Sequence, residues 1–404
     1  YGEIFFSDNS THKVDITDKG TPIDISIDTV KNGGQSLIFA ETRRRSVSLA
    51  LKSAEIIPQY LTKEEIKKNK RLANKILSIG EETELSLKLA RAVEHGAAFH
   101  HAGLNPNHRT IIEEGFKKGE LKILASTPTL VAGVNLRARR VVISSLFRYS
   151  FDSGSQTPIS VIDYKQMCGR AGRPKFDTVG ETVLLSKTEE EADEIYMRYV
   201  KGDPEPLYSQ LGNKGALRTH MLATIATLPG MTNYEIYMLF SKTLFAIQND
   251  EITVKKKITE TIDFLTSEFL IEKRGHRLLA TEFGKKISML YIDPATGIMF
   301  RNALEHIKKR SSLEIGLLHL IMSAPDFTPK FALRRSDLET AELFLEEHKN
   351  EFIIEIPEYT NFESYDFFVS PFRTLMSISS WLNEASEEKI LKRHGVEPGD
   401  LHRA

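Results

Sequence analysis

The sequence predicts an α/β domain built on a mostly parallel sheet. A three-helix domain closed by a two-stranded wing follows, and then an all-helical segment. Three observations carry this. Short, densely apolar runs alternate with helical stretches from residue 36 to about 200. The alternation stops at Gly202-Asp203-Pro204-Glu205-Pro206, which has the composition of a linker. From residue 293 onward every periodic stretch has the helical repeat. A length of 404 residues suits two to four domains.

The apolar runs are 36–40, 97–99, 122–126, 141–144 and 182–185. Each reads as a strand buried on both faces. Between them, residues 82–94, 106–118, 163–171 and 189–200 read as helices, with Pro106 suited to a first turn. Strand alternating with helix implies parallel pairing. Two insertions interrupt the alternation. Residues 53–79 are Lys/Glu-rich and read as a solvated helical excursion. Residues 148–161, turning at Asp152-Ser153-Gly154-Ser155, read as a β-hairpin, and Thr157-Pro158 argues against a central strand there. Beyond the linker, residues 217–227, 233–247 and 254–267 read as helices, and 270–280 as a hairpin turning at Arg274-Gly275-His276. This is the arrangement of a winged helix. Residues 297–309, 313–323, 336–349, 371–386 and 387–394 read as further helices.

Composition bounds the function. Hydrophobic residues at 41% and charged residues at 27% exclude a largely disordered chain. No apolar run approaches the roughly 18 residues of a membrane span. The single cysteine, Cys168, excludes an internal disulfide and fits a cytoplasmic protein. A net charge of -1 leaves nucleic-acid binding to local basic patches. The chain starts at Tyr1 without Met, and its first thirty residues read as the middle of a longer protein.

The most specific motif is Gln166-Met167-Cys168-Gly169-Arg170-Ala171-Gly172-Arg173-Pro174. Arg170 and Arg173, three apart, are placed on one helical face, where paired guanidiniums grip a polyphosphate. Three further motifs precede it: Phe39-Ala40-Glu41-Thr42-Arg43-Arg44, Phe99-His100-His101-Ala102-Gly103-Leu104, and residues 126–136 from Ser126-Thr127 to Gly133-Val134-Asn135-Leu136. In this order they resemble motifs IV to VI of the superfamily 2 helicases. The wording of the second and last motifs is similar to the Ski-like group, and to its archaeal Hjm-type repair helicases, relatives of the helicase part of polymerase theta. The ending Gly395-Val396-Glu397-Pro398-Gly399-Asp400-Leu401 resembles the same family. Arg137 stands where that family usually has proline, which is expected to loosen the turn.

The resemblance implies a second RecA-like domain (1–203), a winged-helix domain (204–291) and a helical ratchet domain (292–404). It implies ATP with Mg²⁺ as cofactors, single-stranded and forked DNA as partners, 3′ to 5′ movement, and a monomer. Arg170 and Arg173 would meet the ATP phosphates with Gln166 beside them, and Gly133 and Asn135 would link nucleotide to DNA. Thr42, Arg43, Thr127 and His101 would lie along the tracking strand. Tyr149 and Phe151 would tip a strand-separating hairpin. Trp381, with Thr374 and Arg373 seven and eight residues earlier near its helical face, would stack on bases. No phosphate-cradling Gly-Lys-Ser/Thr loop and no metal-holding Asp-Glu box occurs. The sequence therefore implies half an ATP site and, for the chain alone, no ATP turnover. His100-His101 lacks further ligands at zinc spacing, so no metal is expected there. A Ski-like RNA helicase and a non-enzymatic nucleic-acid scaffold are the alternatives.

Overall fold

The computed structural model describes residues 2–6, 8, 10–131, 134–150, 155–174, 176–305, 307 and 313–404. The chain forms two compact units: Tyr1–Glu205 with Glu384–Arg403, and Pro206–Asn383.

The first unit opens with an antiparallel hairpin, β1 (Gly2–Phe5) and β2 (Thr11–Val14). Helix α1 (Thr21–Lys31) follows; its Ile, Thr and Val residues are poor helix formers, but burial against the sheet overrides propensity. Then come β3 (Ser36–Phe39), α2 (Arg43–Ala54), α3 (Lys63–Leu77), α4 (Glu84–Glu94), β4 (Ala97–His100), α5 (Pro106–Lys117), β5 (Ile123–Ser126) and β6 (Arg140–Ile143). A second hairpin, β7 (Phe147–Ser150) and β8 (Ser155–Pro158), precedes α6 (Val161–Cys168), β9 (Glu181–Leu184) and α7 (Glu189–Ile195). The five apolar runs are the five strands of one parallel sheet, ordered β4-β5-β3-β6-β9. Every residue of β3 to β6 is buried, as the unbroken apolar runs require. The Lys/Glu-rich insertion differs from the solvated excursion expected. Its helix α3 starts with a Thr62/Glu65 capping box, packs on α4 and α5, and buries Asn69, Ala73 and Ile76.

The second unit holds α8 (Lys214–Thr227), α9 (Asn233–Phe240), α10 (Leu244–Ile247), α11 (Glu251–Ser267) and the wing β10 (Ile271–Arg274)/β11 (Arg277–Ala280). Helices α12 (Glu282–Met289), α13 (Pro294–Glu305), α14 (Glu314–Ser323), α15 (Leu338–His348), α16 (Phe362–Val369) and α17 (Phe372–Leu382) complete it. Two hydrophobic cores organise this unit. One runs from Leu217 to Ile287 under the wing, and the other joins Ile315, Phe352, Phe368, Phe372 and Met376. Helices α18 (Glu387–His394) and α19 (Pro398–Leu401) return to the first unit. None of the described helices is long and apolar enough to cross a membrane.

Candidate functional site

The carboxyl ends of β4, β5 and β3 lie side by side, and they carry three of the sequence motifs. This is the edge at which open parallel sheets bind ligands. Thr42 is exposed there and caps α2, its Oγ1 accepting from the Arg45 amide at 3.1 Å. Thr127 directly follows β5; its amide donates to the His100 carbonyl at 3.2 Å, and little of its surface is open.

The histidines of the same edge point inward. His100 Nε2 lies 2.9 Å from Glu113 Oε1, and this hydrogen bond holds the Glu113 carboxyl below its ordinary range. Spacing alone did not reveal this partner, thirteen residues away on α5. His101, expected along the strand, is instead 0% exposed, stacked on Phe99. Its Nδ1 is 3.6 Å from Glu397 Oε2. Burial, the Arg43 guanidinium and His100 push its pKa down to about 3, so the ring is neutral. The buried ring presents no surface for a strand to contact.

Arg43 also departs from expectation. Its Nη1 donates to Glu397 Oε2 at 2.7 Å and to Asp400 Oδ2, and Nη2 donates to Asp400 Oδ1 at 2.9 Å. Two carboxylates therefore occupy the guanidinium expected to hold phosphates. Burial raises the Glu397 pKa while Arg43 opposes the shift.

The last motif lies at the opposite edge of the sheet. Helix α6 ends at Cys168, earlier than expected, so Arg170 and Arg173 do not share a helical face. The cause is backbone. Gly172 takes φ +83, Ala171 bridges Ala138, and Gly180 crosses so closely that a Cβ there would lie 2.4 Å from the Gly172 nitrogen. Arg173 forks onto Asp177, with Nε to Oδ2 at 2.8 Å and Nη2 to Oδ1 at 2.7 Å. Its Nη1 donates to Gln35 Oε1 at 2.8 Å, just before β3 begins. Arg173 holds the Asp177 carboxyl well below its ordinary value. Arg170 Nη1 donates to the Val134 carbonyl at 2.7 Å, tying the motif to the loop that follows Thr127. Gln166 is exposed on α6. Asn135 and Arg137 are exposed in that loop, whose buried Leu136 and Ala138 anchor it on either side of Arg137. Gly133 lies outside the described residues.

The hairpin is a two-stranded ribbon in which Tyr149 pairs with Gln156 and Phe147 with Pro158, so Pro158 sits on an edge strand. The Tyr149 side chain and all of Phe151 lie outside the described residues. In the second unit, Trp381 is 47% exposed at the end of α17. Arg373 instead donates to the Ala332 carbonyl at 3.1 Å and lies 3.8 Å from Asp337. Thr374 is buried, its Oγ1 accepting from the Phe331 amide. Periodicity placed these two near Trp381, but the first turns of α17 are packed inside the bundle while its last turn emerges. Among the described residues, no group of His, Cys, Asp and Glu could hold a metal ion.

Comparison with known families matches successive stretches of the chain. Residues 21–175 match the helicase conserved C-terminal domain, 180–272 a helix-turn-helix domain, and 315–404 domain 4 of archaeal helicases. The chain is 40% identical over 377 residues to the ATP-dependent DNA helicase Hel308 of Methanocella arvoryzae, covering 93% of this chain and 50% of that protein. It is 36% identical over 404 residues to Hel308 of Pyrococcus horikoshii, covering 100% of this chain and 54% of that protein. The chain thus spans about half the length of the curated relatives it matches. A parallel-sheet unit carrying the helicase motifs in order, a winged helix and a matching fourth domain together place the chain in the Hel308 helicase family.

Proposed function

We propose that this chain is the second RecA-like domain, winged helix and ratchet domain (1–203, 204–291, 292–404) of an ATP-dependent DNA helicase. It would move 3′ to 5′ on single-stranded and forked DNA, as a monomer, in repair or fork restart. The observation that carries this is the tie between the two edges of the sheet. The Arg170 guanidinium grips the Val134 carbonyl at 2.7 Å, and Ala171 bridges Ala138. The loop so held starts at Thr127, on the edge that presents Thr42. A change at a phosphate on Arg170 would thereby be passed to the strand side along the chain between Val134 and Thr127.

The donor set fits part of a triphosphate site. Arg170 is half-buried and cationic, Gln166 is exposed on the preceding helix, and Arg173 is held in place by Asp177 and Gln35. Bound ATP supplies the free energy of hydrolysis, and Mg²⁺ is assigned to none of the described residues. Arg170 binds phosphate charge, while Gly133 and Asn135 are assigned to the link between nucleotide and DNA. Thr42 and Thr127 offer hydroxyls to backbone phosphates, contacts that position a strand without reading its sequence. Trp381 offers an indole face for stacking, worth about 1–3 kcal/mol per base. Tyr149 and Phe151 are the residues assigned to strand separation.

The test titrates the 404-residue chain with oligodeoxythymidine and with oligouridine, following anisotropy and Trp381 fluorescence. Tighter binding of DNA with strong Trp381 quenching is the expected result. Equal or tighter RNA binding would turn the reading to an RNA helicase, and binding of neither would overturn it.

A further inference from the structure

The helical part of the second unit carries a face unsuited to a nucleic-acid strand. Residues 338–367 hold nine carboxylates and one lysine, Lys349, in a chain whose net charge is only -1. Little of this charge is neutralised locally. Lys349 goes to Glu346, and His348 Nδ1 lies 2.7 Å from Glu351 Oε1. Among the described residues, no cation pairs with Glu342, Glu358, Glu363 or Asp366. Such a face repels phosphates and attracts cations.

Aromatic rings stand within this charge. Tyr359 is 67% exposed and Phe362 68%. The Tyr359 ring meets Phe362 at 6.0 Å and 69°, and Tyr365 at 5.1 Å and 67°. Edge-to-face packing leaves ring faces that no parallel neighbour covers. Phe362 and Tyr365 are three apart on α16, and Asp366 comes four after Phe362, so the three share one helical face. Glu358 precedes Tyr359 in the loop before α16. Burial, the Glu342 carboxylate of α15 and Tyr359 together push the Tyr365 phenol pKa up, which puts Glu342 beside the same rings. Carboxylates from two helices and a loop thus rim the cluster. Folding does not account for it, because the core of this part is built from Phe352, Phe368 and Phe372, while Tyr359 and Phe362 stay outside.

We propose that Tyr359, Phe362 and Tyr365, with Glu342, Glu358 and Asp366, form a docking face for an arginine-rich segment of a partner protein. Charge complementarity selects the partner. A guanidinium lies flat on an open ring face, and its N–H groups fork onto the carboxylates at the rim. All six residues belong to the second unit, and the site does not depend on the helicase reading.

The experiment titrates the 404-residue chain into a fluorescein-labelled peptide of alternating arginine and glycine, and follows anisotropy at several salt concentrations. A peptide with citrulline for arginine keeps the shape without the charge. Saturable binding of the arginine peptide alone is expected. Tyr359→Ala and Phe362→Ala should each weaken it by about two- to fivefold, whereas Tyr359→Phe, which keeps the ring, should not. The double variant Glu342→Gln/Asp366→Asn should lower both the affinity and its salt dependence. Tyr359 and Phe362 are exposed, and melting of each variant followed by Trp381, the only tryptophan, checks that it folds. No saturable binding to the native chain would overturn the proposal, as would native affinity in both alanine variants. So would displacement of the peptide by spermidine at equal charge concentration, which is loose attraction of any polycation. Oligodeoxythymidine affinity should be the same in Tyr359→Ala as in the native chain. A loss there matching that for the peptide would put these rings on a strand path and overturn the proposal.

Discussion

His101 has no solvent-exposed surface, and its pKa is pushed down to about 3 by burial first and by Arg43 and His100 after it. The unfolded chain takes up a proton on this ring near pH 6.5, and the folded chain does so only near 3. Between those values the unfolded state binds more protons, so stability falls as pH falls, by roughly 1.4 kcal/mol per pH unit. Glu397, raised by burial, works in the opposite sense between its ordinary value and its raised one. Urea unfolding of the RecA-like unit between pH 7 and 5 should therefore show stability declining below 6.5, and His101→Gln should flatten that decline. An equal slope in the variant would remove His101 as the cause. Arg173 shows what a motif leaves unsaid at this scale. The sequence marked it as a phosphate ligand, but its partners Gln35 and Asp177 carry no signal as a pair, being 142 residues apart in sequence and joined only by the fold.

Among the elements, the parallel strands were the most legible. A strand buried on both faces is apolar almost throughout, and the runs of β3 to β6 announced themselves for that reason, while the edge strand β9 buries only Val183. Helices α1 and α16 were not legible, because Thr21–Lys31 is rich in β-branched residues and Phe362–Val369 in aromatics. Burial against the sheet makes α1 helical, whereas α16 buries only Phe368 and is started by the Asn361 cap. The end of α6 was hidden as well, since what stops it is the crossing of Gly172 by Gly180, a long-range event. The same kind of backbone contact gives a graded prediction where Gly399 meets the loop after β4. Gly103→Ala pushes against the far end of the Glu397 side chain, which can swing away. Gly399→Ala pushes against the carbonyls of Ala102 and Leu104, which are held in the loop after β4. Gly399→Ala should therefore destabilise the first unit more, by about 1–3 kcal/mol. Thermal melts of the two variants, ranked the other way, would show that the loop yields more readily than the glutamate.

At the scale of the whole molecule, two units with separate cores predict unfolding that is not two-state. The two units carry different reporters. Trp381 lies in the second unit, while the five-stranded parallel sheet and the low-pKa His101 lie in the first. Calorimetry should then resolve two transitions, and Trp381 fluorescence should follow only one of them. Acidification from pH 7 to 5.5 should lower the midpoint of the transition that Trp381 does not report. The second unit does contain a histidine of its own with a pKa near 4, His319, packed among Phe352, Phe368 and Phe372. Its midpoint is therefore expected to fall too, because between pH 7 and 5.5 both rings stay neutral in the folded state while the unfolded chain takes up the proton. A single transition, coincident in heat capacity and in Trp381 fluorescence at both pH values, would mean that the two units unfold as one.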